Sequence, residues 1–209
     1  MPRTSPFETH TNKYEEWFDK HPDIYQSELR ALKALLPKSN AGIEIGVGTG
    51  RFAAPLGITI GVEPSKAMGQ VARKRGIDVI TGVAEALPFA EAQFDFALMV
   101  TTICFLNDID ASFREAYRVL RPEGALIIGF IDRNSRLGKI YQEKKKDNVF
   151  YKDATFYSVD EVVSRLQEAK FRDFTFVQTL FEEMHNDAGR QPFREGYGEG
   201  SFIGVKGWK

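Results

Sequence analysis

The chain has 209 residues and a formal net charge of −1, from 28 basic and 29 acidic side chains. That length supports one domain with a substantial core, and that balance gives no global field to draw nucleic acid or an anionic membrane. The single cysteine, Cys104, excludes an internal disulfide framework and a thiolate metal cluster, and it fits a reducing compartment. No run approaches the roughly 20 apolar residues that cross a bilayer, and Met1-Pro2-Arg3-Thr4-Ser5-Pro6 leads into charged, aromatic sequence without the apolar core of a secretion signal. A cytoplasmic protein with no metal, no nucleic-acid partner and no membrane partner is expected.

In chain order, residues 11–36 predict two helices broken near His21-Pro22, the second with an apolar stripe through Leu29, Leu32, Leu35 and Leu36. Pro37 and Lys38-Ser39-Asn40 close that segment. Strand then alternates with helix. Residues 43–45 form a short buried strand, 51–56 a short helix and 58–63 a second strand. Ser65 caps a helix that ends at Gly76, 77–81 is a third strand and 94–100 a fourth. A helix over 110–120 carries Phe113, Ala116, Tyr117 and Leu120 at helical spacing, Arg121-Pro122-Glu123-Gly124 is a turn, and 125–131 is a continuous apolar strand covered on both faces. Lys144-Lys145-Lys146 reads as a solvated helical face. Ser158-Val159-Asp160-Glu161 matches a capping box that opens a helix to about Lys170. Residues 173–180 and 201–206 are strand-like and predict an antiparallel pair at one side of the sheet, with 189–200 an exposed hairpin loop between them. The pattern is α/β and doubly wound, a mostly parallel sheet with helices on both faces. Ligands in such sheets bind outside the carboxyl ends of the strands, here at Glu44 to Gly50, Glu63, 83–85, 100–102 and 131–133.

The most informative stretch is Gly42-Ile43-Glu44-Ile45-Gly46-Val47-Gly48-Thr49-Gly50, followed by Gly61-Val62-Glu63-Pro64-Ser65. A glycine turn lets backbone approach a ligand, and a carboxylate at the end of the next strand suits the two hydroxyls of a ribose. Glu44 stands two residues before the first glycine, beside the place a nucleotide pyrophosphate would occupy. A second negative charge there disfavours a pyrophosphate and favours a cationic ligand. S-adenosylmethionine, with its sulfonium and ammonium, fits better than a dinucleotide.

With Ala84-Glu-Ala-Leu-Pro-Phe89, Phe94-Asp95 and Arg114-Glu-Ala-Tyr-Arg-Val-Leu-Arg-Pro-Glu-Gly124, these blocks stand in an order and spacing that resemble the class I S-adenosylmethionine-dependent methyltransferases, in the group containing small-molecule and quinone-biosynthesis enzymes. The resemblance covers about residues 42–132. It implies a seven-stranded sheet with an antiparallel strand near one edge, and a single domain, 1–209. Within it, residues 7–37 would be a helical lid, 42–132 the cofactor-binding core and 133–157 a substrate-side insertion. It implies that Gly46, Gly48 and Gly50 admit the methionine part of the cofactor, with Glu44 near its amino group. Glu63, with Pro64 beside it, would accept from the ribose hydroxyls, and Ala84 with Glu85 would line the adenine. Val100 and Thr101 would border the methionine end, and Tyr14 would close the site from the lid. Many relatives place Asp where this chain has Val83, so the contact to the adenine amino group is absent here or comes from Glu85 or backbone.

The acceptor pocket is expected from the amino-terminal aromatics Tyr14, Trp17, Phe18 and Tyr25 and from Tyr141, Phe150, Tyr151, Phe156 and Tyr157 after the fifth strand. Such rings take an amine through cation–π contact or a planar group through stacking. The partner is a small-molecule methyl acceptor. No catalytic base stands out: His10, His21 and His185 read as surface residues, and Cys104 as a small buried hydrophobe. Two rival readings are a module that binds the cofactor without turnover and a nicotinamide oxidoreductase. The latter predicts glycine where Arg51 stands and an apolar residue in place of Glu44.

Overall fold

The computed structural model describes residues 4–39, 41–181 and 189–209. Three helices precede the sheet: α1 (Ser5–Thr9), α2 (Thr11–Lys20) and α3 (Pro22–Leu35). Pro22 starts α3 because a first-turn residue needs no amide donor and its fixed φ suits a helix. The short α1 was not foreseen; at five residues it is below any periodicity signal. The alternating part runs β1 (Gly42–Ile45), α4 (Ala53–Leu56), β2 (Ile60–Val62), α5 (Lys66–Lys74), β3 (Asp78–Ile80), β4 (Phe94–Val100), α6 (Ile109–Val119), β5 (Leu120–Ile131), α7 (Arg136–Glu143) and α8 (Val159–Glu168). It closes with β6 (Arg172–Thr179), β7 (Arg194–Glu195) and β8 (Phe202–Trp208). Ser65, Asp108 and Ser135 cap α5, α6 and α7 with side-chain oxygens, and Ser158 and Glu161 complete the capping box of α8.

The sheet order is β3-β2-β1-β4-β5-β8-β6-β7. Strands β1 to β5 pair in parallel, while β8 lies antiparallel to both β5 and β6. The sheet therefore has eight strands, one more than expected. The addition is β7, whose two residues pair antiparallel with β6 inside the segment expected to be only a loop. Arg121 to Gly124 are likewise not a separate turn: β5 begins at Leu120 opposite Phe94 and bulges before Ala125 pairs with Phe96, with Glu123 at φ +64°. Asp95, hydrogen-bonded by Ser39 (2.5 Å) and Arg121 (2.6 Å), pins that bulge.

Two-residue alternation divides the core. Ile43, Ile45, Ala97, Met99, Leu126 and Ile128 pack with α6 and α8, while Phe96, Leu98, Val100 and Ile127 pack with α3, α4 and α5. By the same alternation, Glu44 projects to the α3–α5 side. Leu32 and Leu35 of helix α3 pack over two paired glycines, Gly129 of β5 and Gly204 of β8, which leave room for them. A Cβ on Gly129 would meet Leu32 at 2.9 Å, and one on Gly204 would meet Leu35 at 2.8 Å. Strand order reverses between β1 and β4, which opens a crevice at their carboxyl ends. None of the described helices is long and apolar enough to cross a membrane.

Candidate functional site

The loop after β1 folds over the tip of β2, with the amides of Gly46 and Val47 both donating to the Val62 carbonyl (2.8 and 3.0 Å). Gly46 sits at φ +73°, and a Cβ there would lie 2.5 Å from Thr102 Cγ2. Only glycine meets both conditions. Across the crevice Thr101 holds φ +52°, a strained value for a β-branched residue, where β4 ends.

Two acids flank the loop. Glu63, 8% exposed, accepts from the Gly48 amide through one oxygen and the Ser65 amide through the other, each at 2.9 Å. Burial outweighs these bonds and pushes its carboxyl up to about 7. Glu44 is 2% exposed, and its Oε2 has no hydrogen-bond partner. Burial raises its carboxyl well above the usual range, opposed by the Ala53 backbone amide and reinforced by the charge of Glu63. Such an orphaned acid is unusual unless something cationic or hydrogen-bonding is meant to meet it.

A cavity of about 560 Å³ runs across the strand ends. At the β2–β3 end it is lined by Glu63, Pro64, Gly82, Val83, Ala84 and Glu85. Gly46, Gly48, Val100 and Thr101 form its middle. Phe18, Ile24, Glu28, Ile131, Leu137 and Tyr141 form the end beneath α3, with Phe150 and Tyr151 closing over it. Helix α2 roofs the cavity with Tyr14 and Trp17, and the Tyr14 hydroxyl approaches the Gly48 position. Burial raises the Tyr14 phenol, as do the charges of Glu44 and Glu63, so it stays a neutral donor.

The amino-terminal helices are held by ions and rings. Glu15 of α2 accepts from Arg51 (2.8 Å) and from Arg75, which also donates to the Thr49 carbonyl (2.7 Å). Glu8 of α1 accepts from Ser65 Oγ at 2.5 Å. Phe7 packs between Phe105 (4.8 Å between centroids) and Phe150 (5.3 Å).

The structure brings most of the expected site residues to one cavity and places others outside its wall. Glu44 lies beneath the glycine loop rather than in the cavity wall. Gly50 is outside the wall: a Cβ there would meet Ala72 and Ile77, so it serves the packing of α5 on the loop. Tyr157 also lies outside, beside the small void near Cys104 together with Phe156, with the Arg165 guanidinium over its ring. Tyr25 is used structurally, donating to the Arg51 carbonyl at 2.5 Å. Val83 lines the cavity beside Glu85, whose Oε1 accepts from the amides of Asn107 and Asp108 (2.8 and 3.3 Å). Of the lysine run, Lys144 reaches the cavity mouth and Lys145 donates to the Ala154 carbonyl, so it is not simply a solvated face. Cys104 is buried, donates to the Thr101 carbonyl at 3.3 Å and has its thiol pushed up to about 12 by burial, which makes it inert packing. His185 lies outside the described residues. No group of side chains suited to a metal occurs among the described residues.

Sequence reasoning missed Phe7, Phe105 and Glu28. For Glu28 the signal existed: it falls four residues after Ile24 and four before Leu32, inside the apolar stripe of α3.

Residues 43–128 match a family model described as a methyltransferase domain. A crystal structure of a SAM-dependent methyltransferase from Thermotoga maritima, described as a possible histamine N-methyltransferase, superposes with a TM-score of 0.96 at 50% identity, over 99% of each chain. An uncharacterized protein of Methanocaldococcus jannaschii is 46% identical over 97% of this chain and 98% of its own length. A ubiquinone/menaquinone biosynthesis C-methyltransferase of Stenotrophomonas maltophilia is 35% identical over 39% of this chain and 38% of its own. With the glycine loop, its flanking acids and the switch-point cavity in place, the chain belongs to the S-adenosylmethionine-dependent methyltransferases.

Proposed function

We propose that this chain transfers a methyl group from S-adenosylmethionine to a small-molecule acceptor by in-line displacement, with donor and acceptor sharing the one cavity. The observation that carries this reading is the cavity's continuity, from the carboxylate of Glu63, across the glycine loop and Thr101, to an aromatic end beneath α3.

The residues fit the donor. Glu63 keeps a second lone pair on each oxygen for the ribose hydroxyls. The unpartnered Oε2 of Glu44, buried behind the loop, suits a water that would relay it to the methionine ammonium. Gly46 and Gly48 keep the loop bare of side chains where the donor would lie, and Ala84 and Glu85 border the adenine end. The sulfonium makes the bound methyl group electrophilic without help from the protein. What remains for the chain is to align the acceptor and exclude water, and positioning of this kind can lower a barrier by roughly 7–11 kcal/mol. Tyr14, Trp17 and Phe18 from α2, with Phe7 and Phe150 above, cover the cavity from solvent.

A screen with isotopically labelled S-adenosylmethionine against amines, phenols, quinols and carboxylates tests the proposal. Labelled product from any of them supports an enzyme. Cofactor binding with no transfer across the screen leaves a binding module as the better reading.

A further inference from the structure

The wall that α3 contributes carries an acid with no assigned task. Glu28 is 7% exposed and faces the cavity. No described residue donates a hydrogen bond or an opposite charge to it, and burial alone pushes its carboxyl up to about 8. The titratable groups around it are phenols: Tyr14 from α2, Tyr141 from α7 and Tyr151 from the segment after α7, each sensing its charge and each raised mainly by burial. The cations that reach the cavity, Lys13 and Lys144, are exposed residues and form no ion pair with it.

Its position is fixed. Leu32, one turn along, is wedged against Gly129. The preceding residue, Ser27, donates to the Asp23 carbonyl (2.7 Å) and accepts from the Gln191 amide (2.9 Å). Glu28 shares the β5 end of the cavity with Ile131 and Leu137, away from Glu63 and Ala84 at the opposite end. A buried carboxyl without a partner costs stability. Its place in the wall of a ligand cavity, near the phenols of Tyr14, Tyr141 and Tyr151, is explained by a ligand that brings the missing positive charge.

We propose that the acceptor is a primary or secondary amine, seated as an ammonium among Tyr14, Tyr141 and Tyr151, and that Glu28 both binds it and takes the proton its nitrogen must lose. This rests on the methyltransferase reading above. A carboxylate and phenol oxygens, all able to accept from N–H groups, together select an ammonium; a carboxylate acceptor would set two anions side by side. The carboxylate removes one N–H proton, and the freed lone pair forms the N–CH₃ bond. The C–S electron pair stays on sulfur, leaving a thioether, a methylated ammonium and a protonated Glu28 that returns its proton to water. Because burial disfavours the ionised carboxyl, the transfer from nitrogen is less uphill than to an ordinary carboxylate.

The test uses the full chain and the isosteric Glu28→Gln variant, with phenethylamine, tyramine and N-methylphenethylamine as probes and phenol and 3-phenylpropionate as controls. In the parent with S-adenosylhomocysteine present, at least one amine should raise the melting temperature, and Glu28→Gln should abolish that shift while keeping the shift produced by S-adenosylmethionine. Turnover of that amine should fall at least ~100-fold in kcat/KM. The parent's kcat/KM should decline on the acid side of about pH 8, and the variant should lack that limb. Glu28→Asp, which keeps the charge on a shorter arm, should keep the limb at a lower rate. Amine turnover unchanged in Glu28→Gln, or no amine-induced shift in the parent while the cofactor shift is normal, overturns the assignment and leaves the methyltransferase reading intact. Absence of a cofactor shift in the parent defeats that underlying reading instead.

Discussion

Glu63 holds Gly48: one carboxylate oxygen accepts the Gly48 amide at 2.9 Å while the other accepts Ser65, so a single side chain ties the tip of β2 to the glycine loop and to the start of α5. The loop is thereby preset before any ligand arrives. Glu63→Ala removes this tie and the proposed ribose acceptor together. Cofactor affinity should weaken by about 1.5–3 kcal/mol, roughly 10- to 150-fold in Kd. Calorimetric titration measures it, and an unchanged Kd would place the ribose elsewhere.

Gly46 and Gly50 should respond differently to the same substitution. Both hold positive φ (+73° and +80°), so alanine strains either, by roughly 1–2 kcal/mol. At Gly46 the new methyl would also strike Thr102 in the cavity wall, whereas at Gly50 its neighbours are Ala72 and Ile77, at 3.3–3.4 Å. Gly46→Ala should lose most cofactor binding. Gly50→Ala should lower the melting temperature while the cofactor Kd stays within about threefold. Equal losses of affinity would mean that Gly50 belongs to the binding surface after all.

The lid should depend on Glu15. It meets both Arg51 and Arg75, and its side chain is 19% exposed, which limits screening by solvent. Glu15→Gln leaves two guanidinium groups without their anion. Docking of α2 should weaken by about 1.5–3 kcal/mol. Hydrogen exchange of α2 amides should quicken and bound cofactor should dissociate faster. Unaltered exchange would show that the aromatic contacts alone hold the lid.

Glu28 and Glu63 make stability depend on pH in an unusual direction. Their carboxyls titrate at about 8 and about 7 in the folded chain, against an ordinary value of 4.5. Between pH 4.5 and 8 the folded state keeps protons that the unfolded state releases. These groups therefore add stability at low pH that is lost as pH rises, with no further loss above about 8. The carboxylates held low, Glu15 among them, act in the opposite sense, but below about pH 4.5. Melting temperature should fall from pH 5 to pH 9, less steeply in Glu28→Gln, which should be the more stable protein at pH 9. A parent whose melting temperature climbs across that range would contradict the burial of both acids.

The parts of the fold that were legible in the sequence share one property, a period long enough to repeat. Strand β4, helices α5 and α6 and the capping box of α8 each carry several residues of a pattern, and their boundaries came within about two residues. Helix α1 and strand β7 did not, because five residues and two residues contain no repeat. The bulge at Glu123 was misread because Arg-Pro-Glu-Gly has turn composition whether it joins two elements or interrupts one. At the site, the glycine loop and Glu63 were visible because close backbone approach restricts residue choice. That Tyr157 lies outside the main cavity was not legible, because an aromatic residue looks the same in a sequence whether it packs in a core or lines a cavity. Glu28 was passed over because a charge on a helix is ordinarily taken as solvated, although its register said otherwise.

The pairing of Gly129 with Gly204 has a consequence for how this molecule could be reprogrammed. By seating α3 on the sheet it makes that helix a fixed wall at one end of the chamber, while the opposite end is furnished by strand tips and their loops. On the proposed function, exchanging Ile24, Glu28 or Tyr141 alters which compound is accepted and leaves the proposed donor end untouched, so selectivity and donor use become independent traits on one scaffold.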